Sequence, residues 1–171
     1  MAEGRTEHIN QGEYAVGADP EHMITTLLGS CVAVCLHDPR NHVGGMNHIL
    51  LPEETGGAAT GASFGVNAME LLINGVIKLG ADRRHLEAKV FGGGRMVAGL
   101  SDIGKRNREF VMRFLEAEHI ACIGESTGGN SGRRIQFWPH SGKARQKFME
   151  AAFTELPAAP PKPKAEEVEL F

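Results

Sequence analysis

One thiol and one imidazole stand at either end of a short hairpin-like stretch of this chain. Cys31 closes Leu28-Gly29-Ser30-Cys31, and His48 closes Gly45-Met46-Asn47-His48. The run CVAVCLHDPRNHVGGMNHILLP reads as an apolar strand, a turn and a second apolar strand. Asp38-Pro39-Arg40-Asn41 supplies the turn, with Asp to open it and Pro where a fixed φ is wanted. A loop centred between Pro39 and Arg40 sets Cys31 directly opposite His48. Opposed residues of an antiparallel pair share a face, with Cβ atoms roughly 4.5–5.5 Å apart. That is the geometry a cysteine nucleophile and its base require. The expectation depends on register, because a bulge at Gly44-Gly45 or a longer loop displaces His48.

An ordinary thiol is only slightly ionised at neutral pH, so catalysis by Cys31 calls for an adjacent proton acceptor. With His48 beside it, the thiol is expected to titrate below its reference value of about 8.5. His48 would accept the proton and return it to a leaving amine. A third group normally decides which imidazole nitrogen carries the proton. Thr25 and Thr26 place hydroxyls on opposite faces of the preceding strand, so one of them faces the pair. The bend at Gly29-Ser30 offers the backbone N–H groups of Ser30 and Cys31 as an oxyanion hole. Together these parts suit acyl transfer on an amide or ester.

Composition narrows the remaining possibilities. The chain has 171 residues and a net charge of −3, and 42% of it is hydrophobic. Length predicts one domain, here residues 1–155, with a real core. The charge gives no reason to expect binding to nucleic acid or insertion in a membrane. The N-terminal MAEGRTEHINQGEY lacks an apolar stretch, and no apolar run approaches a membrane span. Three cysteines are too few and too odd for a disulfide framework, which points to the cytoplasm. Cys31, Cys35, His37, His42 and His48 are metal-ligand types, but one strand rising about 3.3 Å per residue spreads Cys31, Cys35 and His37 too far to share one ion. No metal and no cofactor is therefore expected. Gly92-Gly93-Gly94 lacks the ending of a phosphate loop and reads as a tight turn near the site. Lys105, Arg106, Arg108, Arg133 and Arg134 read as a solvated face. Cys31 also has a plainer reading, as an ordinary buried cysteine.

Strands are expected over Glu13–Val16, Met23–Leu28, both arms of the hairpin, Leu86–Phe91, Ala121–Gly124 and Arg134–Trp138. Helical spacing of Met69, Leu72, Ile73, Val76 and Leu79 predicts a helix capped by Ser63 and closed by Gly80. A second helix is expected over Gly104–Glu118, and composition suggests a third over Lys143–Phe153. From Leu156 the chain reads PAAPPKPKAEEVELF, so residues 156–171 are expected to be a disordered, Pro-rich and acidic tail. Strands followed by alternating helices and strands suggest an α/β fold, a mixed sheet with helices packed on it.

The run ITTLLGSCVAVCLHDPRNHVGGMNHILLP resembles the signature of the CheD family, chemoreceptor glutamine deamidases of bacterial chemotaxis. The likeness continues through Ala68-Met69-Glu70, LEAKVFGGG, IGKRN and STGGNSGRRIQF, covering roughly residues 12–137. The resemblance implies that Cys31 is the nucleophile, His48 its base and Thr25 the third catalytic residue. It implies a layered α/β sandwich like the catalytic domain of cytotoxic necrotizing factor toxins. It implies deamidation through a Cys31 thioester, with receptor methyl-ester hydrolysis as a side activity. Its implied partners are the cytoplasmic domains of methyl-accepting chemotaxis receptors and a CheC-type phosphatase. The competing reading is a non-catalytic adaptor that docks on receptors or on that phosphatase.

Overall fold

The computed structural model describes residues 4–52, 59–96, 102–149 and 168–171. Their elements run β1 (Arg5–His8), β2 (Tyr14–Gly17), β3 (His22–Leu28), β4 (Val32–Asp38), β5 (Val43–Asn47), α1 (Ala59–Lys78), β6 (Glu87–Gly92), α2 (Ile103–Ala117), β7 (Ala121–Thr127), β8 (Gly132–Phe137), β9 (Ala144–Met149) and β10 (Val168–Leu170). The strands form two five-stranded sheets, ordered β1-β3-β8-β9-β10 and β2-β5-β4-β6-β7. Both are mixed, because β1 runs parallel to β3 and β6 parallel to β7. The α/β class expected from sequence holds, with two stacked sheets in place of one.

β4 explains the layering. Its Val32, Val34 and Leu36 pack against Met69, Leu72, Ile73 and Val76 of α1 and Val111 and Leu115 of α2. The alternate residues, Ala33 and Cys35, join Met46 and Phe91 in facing Ile24, Leu28, Ile135 and Phe137 of the first sheet. A strand covered on both sides needs an unbroken apolar run, and VAVCL is one. The order of layers is therefore helices, second sheet, first sheet. Because β3 belongs to one sheet and β4 to the other, the chain crosses between sheets at Gly29-Ser30-Cys31.

Several expectations change. The β4–β5 register is Cys35↔Met46, Leu36↔Gly45, His37↔Gly44 and Asp38↔Val43, displaced by two residues from the one that faces Cys31 with His48. The cause is the turn, which is longer than a tight two-residue loop. His42 adopts φ 56° within it, and its N–H donates to the Asp38 carbonyl at 2.9 Å. Residues 144–149 are a strand rather than a helix, since Ala144 and Gln146 alternate with outward Arg145 and Lys147, a period of two. α1 starts before Ser63, which is thus not its cap. β1 was not anticipated. Of the tail, 156–167 lies outside the described residues. Residues 168–170 add an edge strand to β9, and Phe171 meets Phe91 edge-on with ring centroids 5.2 Å apart. Those last residues are ordered structure, not a disordered end.

The hairpin turn is held by one buried carboxylate. Asp38 accepts from Arg40 N–H (2.9 Å), Asn41 N–H (3.1 Å), Asn41 Nδ2 (2.7 Å) and, across the chain, Asp82 N–H (2.7 Å). Burial alone would raise its pKa, but these bonds hold it at about 2. Replacement by Ala should lower unfolding stability by about 3 kcal/mol, given the strength of hydrogen bonds to a charged group. Because the folded-state value lies below the unfolded one, about 3.9, this contribution is complete above that pH and lost as pH falls toward 2. Urea titrations of wild type and Asp38→Ala between pH 7 and pH 2 should converge at the acid end.

Candidate active site

The crossover from β3 to β4 is clamped carbonyl by carbonyl. Gly29 O accepts from Gly94 N–H at 2.9 Å, Ser30 O from Asn107 Nδ2 at 2.9 Å, and Cys31 O from Gly93 N–H at 2.8 Å. By contrast, the N–H groups of Ser30 and Cys31 have no hydrogen-bond partner among the described residues. Gly92-Gly93-Gly94 does lie against the crossover, but it continues β6 as irregular backbone rather than forming the expected tight turn. Gly92 sits at φ +106°, and a Cβ there would lie 2.2 Å from the Cys31 carbonyl oxygen, so only glycine fits.

His48 lies just past β5. Val32 and Ile49 exchange hydrogen bonds of 3.0 and 2.7 Å, so His48 stands level with Ala33, and Cys31 is its diagonal neighbour. The ladder opens between, where Asn47 Oδ1 takes the Val34 N–H at 3.0 Å. A displacement of two residues preserves the face, so Cys31 and His48 still both point into the layer between the sheets. Diagonal neighbours are roughly 7–8 Å apart at Cα and less at Cβ. Among the described residues no hydrogen bond joins the thiol to the imidazole.

The hydroxyl that meets His48 belongs to Thr26. Its Oγ lies 2.7 Å from His48 Nδ1 and donates to the Ile9 carbonyl at 2.8 Å. A hydroxyl has one proton. With that proton given to Ile9, the Thr26 oxygen accepts from Nδ1–H, and His48 Nε2 is left as the lone-pair nitrogen. Thr25 does not fill the expected place. Strand alternation turns it to the other face of β3, where its hydroxyl donates to the Ile135 carbonyl at 2.8 Å. The His48 backbone is held as well, its N–H donating to the Glu13 carbonyl (3.1 Å) and its carbonyl accepting from the Gly12 N–H (2.9 Å).

Burial sets the charge state of both groups. Loss of water lowers the His48 pKa to about 4, against a small upward pull from Glu13. The same cause raises the Cys31 pKa, the reverse of the expected depression. The resting pair at neutral pH is therefore neutral thiol and neutral imidazole, not an ion pair. His48, Thr26, Thr25, His8, Leu27 and Arg134 line a pocket of about 170 Å³, whose lining does not include Cys31.

Two contributors escaped sequence reasoning. Asn107 is fully buried on the apolar face of α2 with Val111 and Phe114, and it bonds both Ser30 O and the Leu51 N–H (3.0 Å). A polar residue at a core position of an amphipathic helix was the available signal. Arg133, grouped above with a solvated face, is 1% exposed and donates to Ser126 O at 2.6 Å and Gln146 Oε1 at 3.0 Å.

A thiol at a sheet-to-sheet corner, unpaired amides beside it and an oriented neutral imidazole on the same face form a candidate cysteine-hydrolase site on a layered α/β sandwich. The chain belongs to the CheD family: the family model described as "CheD chemotactic sensory transduction" matches residues 50–148. A relative from Agrobacterium fabrum, named "Probable chemoreceptor glutamine deamidase CheD", is 51% identical over 99% of this chain and 98% of its own length. Relatives of the same name from Rhizobium leguminosarum bv. trifolii (49%, all of both chains) and a Caulobacter strain (49%, 96% and 92%) are similar throughout. Among solved structures, a Neisseria meningitidis protein of family DUF152 matches with a TM-score of 0.45 and 10% identity, over 74% of this chain and 63% of that one. That likeness is too distant to bear on function.

These charge states can be measured directly. Alkylation of Cys31 by iodoacetamide should accelerate only above about pH 9, where ordinary thiols ionise, and His48→Ala should hardly move the profile. Nitrogen-15 NMR of His48 should show the Nδ1–H tautomer, with protonation near pH 4. A titration near 6.5, the unperturbed value, would contradict the buried environment described.

Proposed function

We propose that this chain is a cysteine amidohydrolase that converts glutamine side chains of chemoreceptors to glutamate. The observation that carries the reading is the hydrogen-bond chain His48 Nδ1–H to Thr26 to Ile9, which leaves Nε2 basic on the face shared with Cys31. The names of relatives about half identical over the whole chain supply the substrate class.

In this reading the Cys31 sulfur attacks the carboxamide carbon while its proton passes to His48 Nε2. The carbonyl oxygen becomes an oxyanion facing the unpaired N–H groups of Ser30 and Cys31. Collapse breaks the C–N bond, His48 returns the proton to nitrogen, and ammonia leaves a thioester on Cys31. Water, deprotonated by His48, then hydrolyses the thioester to glutamate and restores the thiol. Thr26 takes the orienting role assigned above to Thr25. A neutral resting pair suits this sequence, because proton transfer accompanies attack rather than preceding it. Apo geometry looser than the reacting one is usual for such sites. The chemistry uses no cofactor.

The raised Cys31 pKa favours a second reading, a receptor- or phosphatase-binding adaptor whose cysteine is structural. One experiment separates the two. Receptor cytoplasmic fragments incubated with the protein should gain about one dalton per glutamine, the amide-to-acid difference. Cys31→Ala and His48→Ala should each lower ammonia release by about a thousandfold or more, since such residues act as a unit. Thr26→Val should slow turnover by roughly ten- to a hundredfold, in line with loss of a base-orienting partner, with Thr26→Ser recovering most of it and Thr25→Ala well above Thr26→Val. Turnover by Cys31→Ala at the wild-type rate would leave the adaptor.

A further inference from the structure

We infer that Asn107 is a positioning residue of the acyl transfer, holding the Ser30 carbonyl so that the Cys31 N–H is aimed at the oxyanion. The inference rests on the deamidase reading and adds what sets its oxyanion hole. A trans peptide is a rigid plane whose C=O and N–H point in opposite directions, and no peptide bond among the described residues is cis. The carbonyl of one residue and the N–H of the next therefore turn together. Gly29 O, held by the Gly94 N–H, fixes the direction of the Ser30 N–H. Ser30 O, held by Asn107 Nδ2 at 2.9 Å, fixes that of the Cys31 N–H. Backbone alone sets the first donor of the proposed oxyanion hole, and one side chain sets the second.

Asn107 is itself oriented from its other end. Its Oδ1 accepts the Leu51 N–H at 3.0 Å, which turns Nδ2 toward Ser30. Leu51 follows His48 closely in the chain, just past the Ile49 that exchanges backbone bonds with Val32. One amide thus ties the segment carrying the nucleophile to the segment carrying the base. The helix comes near enough because a turn earlier it has Gly104, where a Cβ would collide with the Gly93 and Gly94 carbonyl oxygens.

The position is otherwise apolar. Gly104, Val111, Phe114 and Leu115 share the buried face of α2 with Asn107, which is 0% exposed. Burying an amide there costs desolvation that its hydrogen bonds offset. A leucine of similar volume avoids that cost but leaves the Ser30–Cys31 peptide plane without its anchor.

The test compares two reactions of one sulfur in the full chain, each followed at Cys31 by mass. Acylation by p-nitrophenyl acetate forms the S–C bond, builds charge on the carbonyl oxygen and expels p-nitrophenolate, so it draws on the oxyanion hole. Alkylation by iodoacetamide displaces iodide and builds no oxyanion. Asn107→Leu, and Asn107→Ser whose hydroxyl is too short to span both partners, should lose roughly ten- to a hundredfold in acylation, part of the ~10²–10³-fold cost of removing a donor. Alkylation should stay within about twofold, and receptor-fragment turnover should lose kcat by a similar factor with KM nearly unchanged. Equal loss of both reactions would make Asn107 a structural prop, and loss of neither would detach it from the site; each overturns the inference. A further measurement needs no variant. Butyraldehyde adds to Cys31 as a hemithioacetal, the thiol proton passing to its oxygen, and the Cys31 amide proton should move downfield by NMR; an unmoved amide also overturns the inference. Asn107-dependent acylation without deamidation of the receptor fragment keeps the positioning role and removes the deamidase, whereas deamidation with Asn107-independent acylation does the opposite.

Discussion

The arrangement rests on how three consecutive carbonyls are satisfied where the chain passes from one sheet to the other. Gly29, Ser30 and Cys31 each leave the ladder at the crossover, and an unpaired buried carbonyl costs about 1–3 kcal/mol. Their partners come from different parts of the fold: two amides of the glycine segment after β6 and the side-chain amide of Asn107 on α2. That segment can approach only because it is glycine. A Cβ on Gly104 at the start of α2 would itself lie 2.4 Å from the Gly93 oxygen. Every carbonyl of the corner is engaged, while the amides of Ser30 and Cys31 have no partner among the described residues. A rigid corner with donors to spare is what stabilising an oxyanion asks of a backbone.

Burial between the sheets acts twice on the chemistry. It disfavours charge on both the thiol and the imidazole, so neither ionises the other at rest. It also makes each hydrogen bond to His48 more decisive, because a hydrogen bond is stronger in the low dielectric of a buried site. The relay through Thr26 to the Ile9 carbonyl exploits this. A backbone acceptor at the far end fixes the direction of the hydroxyl, and the hydroxyl fixes the tautomer. A carboxylate in place of Thr26 would raise the imidazole pKa and favour an ion pair. A neutral hydroxyl leaves the imidazole uncharged at rest.

A buried arginine links the corner to the first sheet. Arg133 on β8 holds the Ser126 carbonyl, and the Gly128 N–H after it bonds to the Gly92 carbonyl at 2.9 Å. Arg95 N–H bonds to Gly129 O at 2.7 Å on the other side of that loop. Neighbouring positions in one strand thus serve opposite ends. Arg133 points inward and supports the glycine segment after β6, while Arg134 points outward beside the His48 pocket.

Periodicity alone determined much of this protein. The continuous apolar run of β4, the helical spacing of Met69, Leu72, Ile73 and Val76, and the glycine punctuation after β6 are local signals, and the elements follow them. Two-residue alternation also placed Cys31 and His48 on one face, a relation that survives a register shift by an even number. Only the tertiary structure decided which residues touch. The turn between Asp38 and Val43 holds four residues, with His42 at positive φ, where local turn chemistry suggested two. The choice between Thr25 and Thr26 required knowing which side of β3 faces the second sheet, and the sheets were not separable from sequence. Residues 144–149 and 168–170 became strands because an open sheet edge was there to pair with, a partner that composition does not reveal. Periodicity is a property of neighbours along the chain, whereas register, burial and proton position belong to neighbours across it.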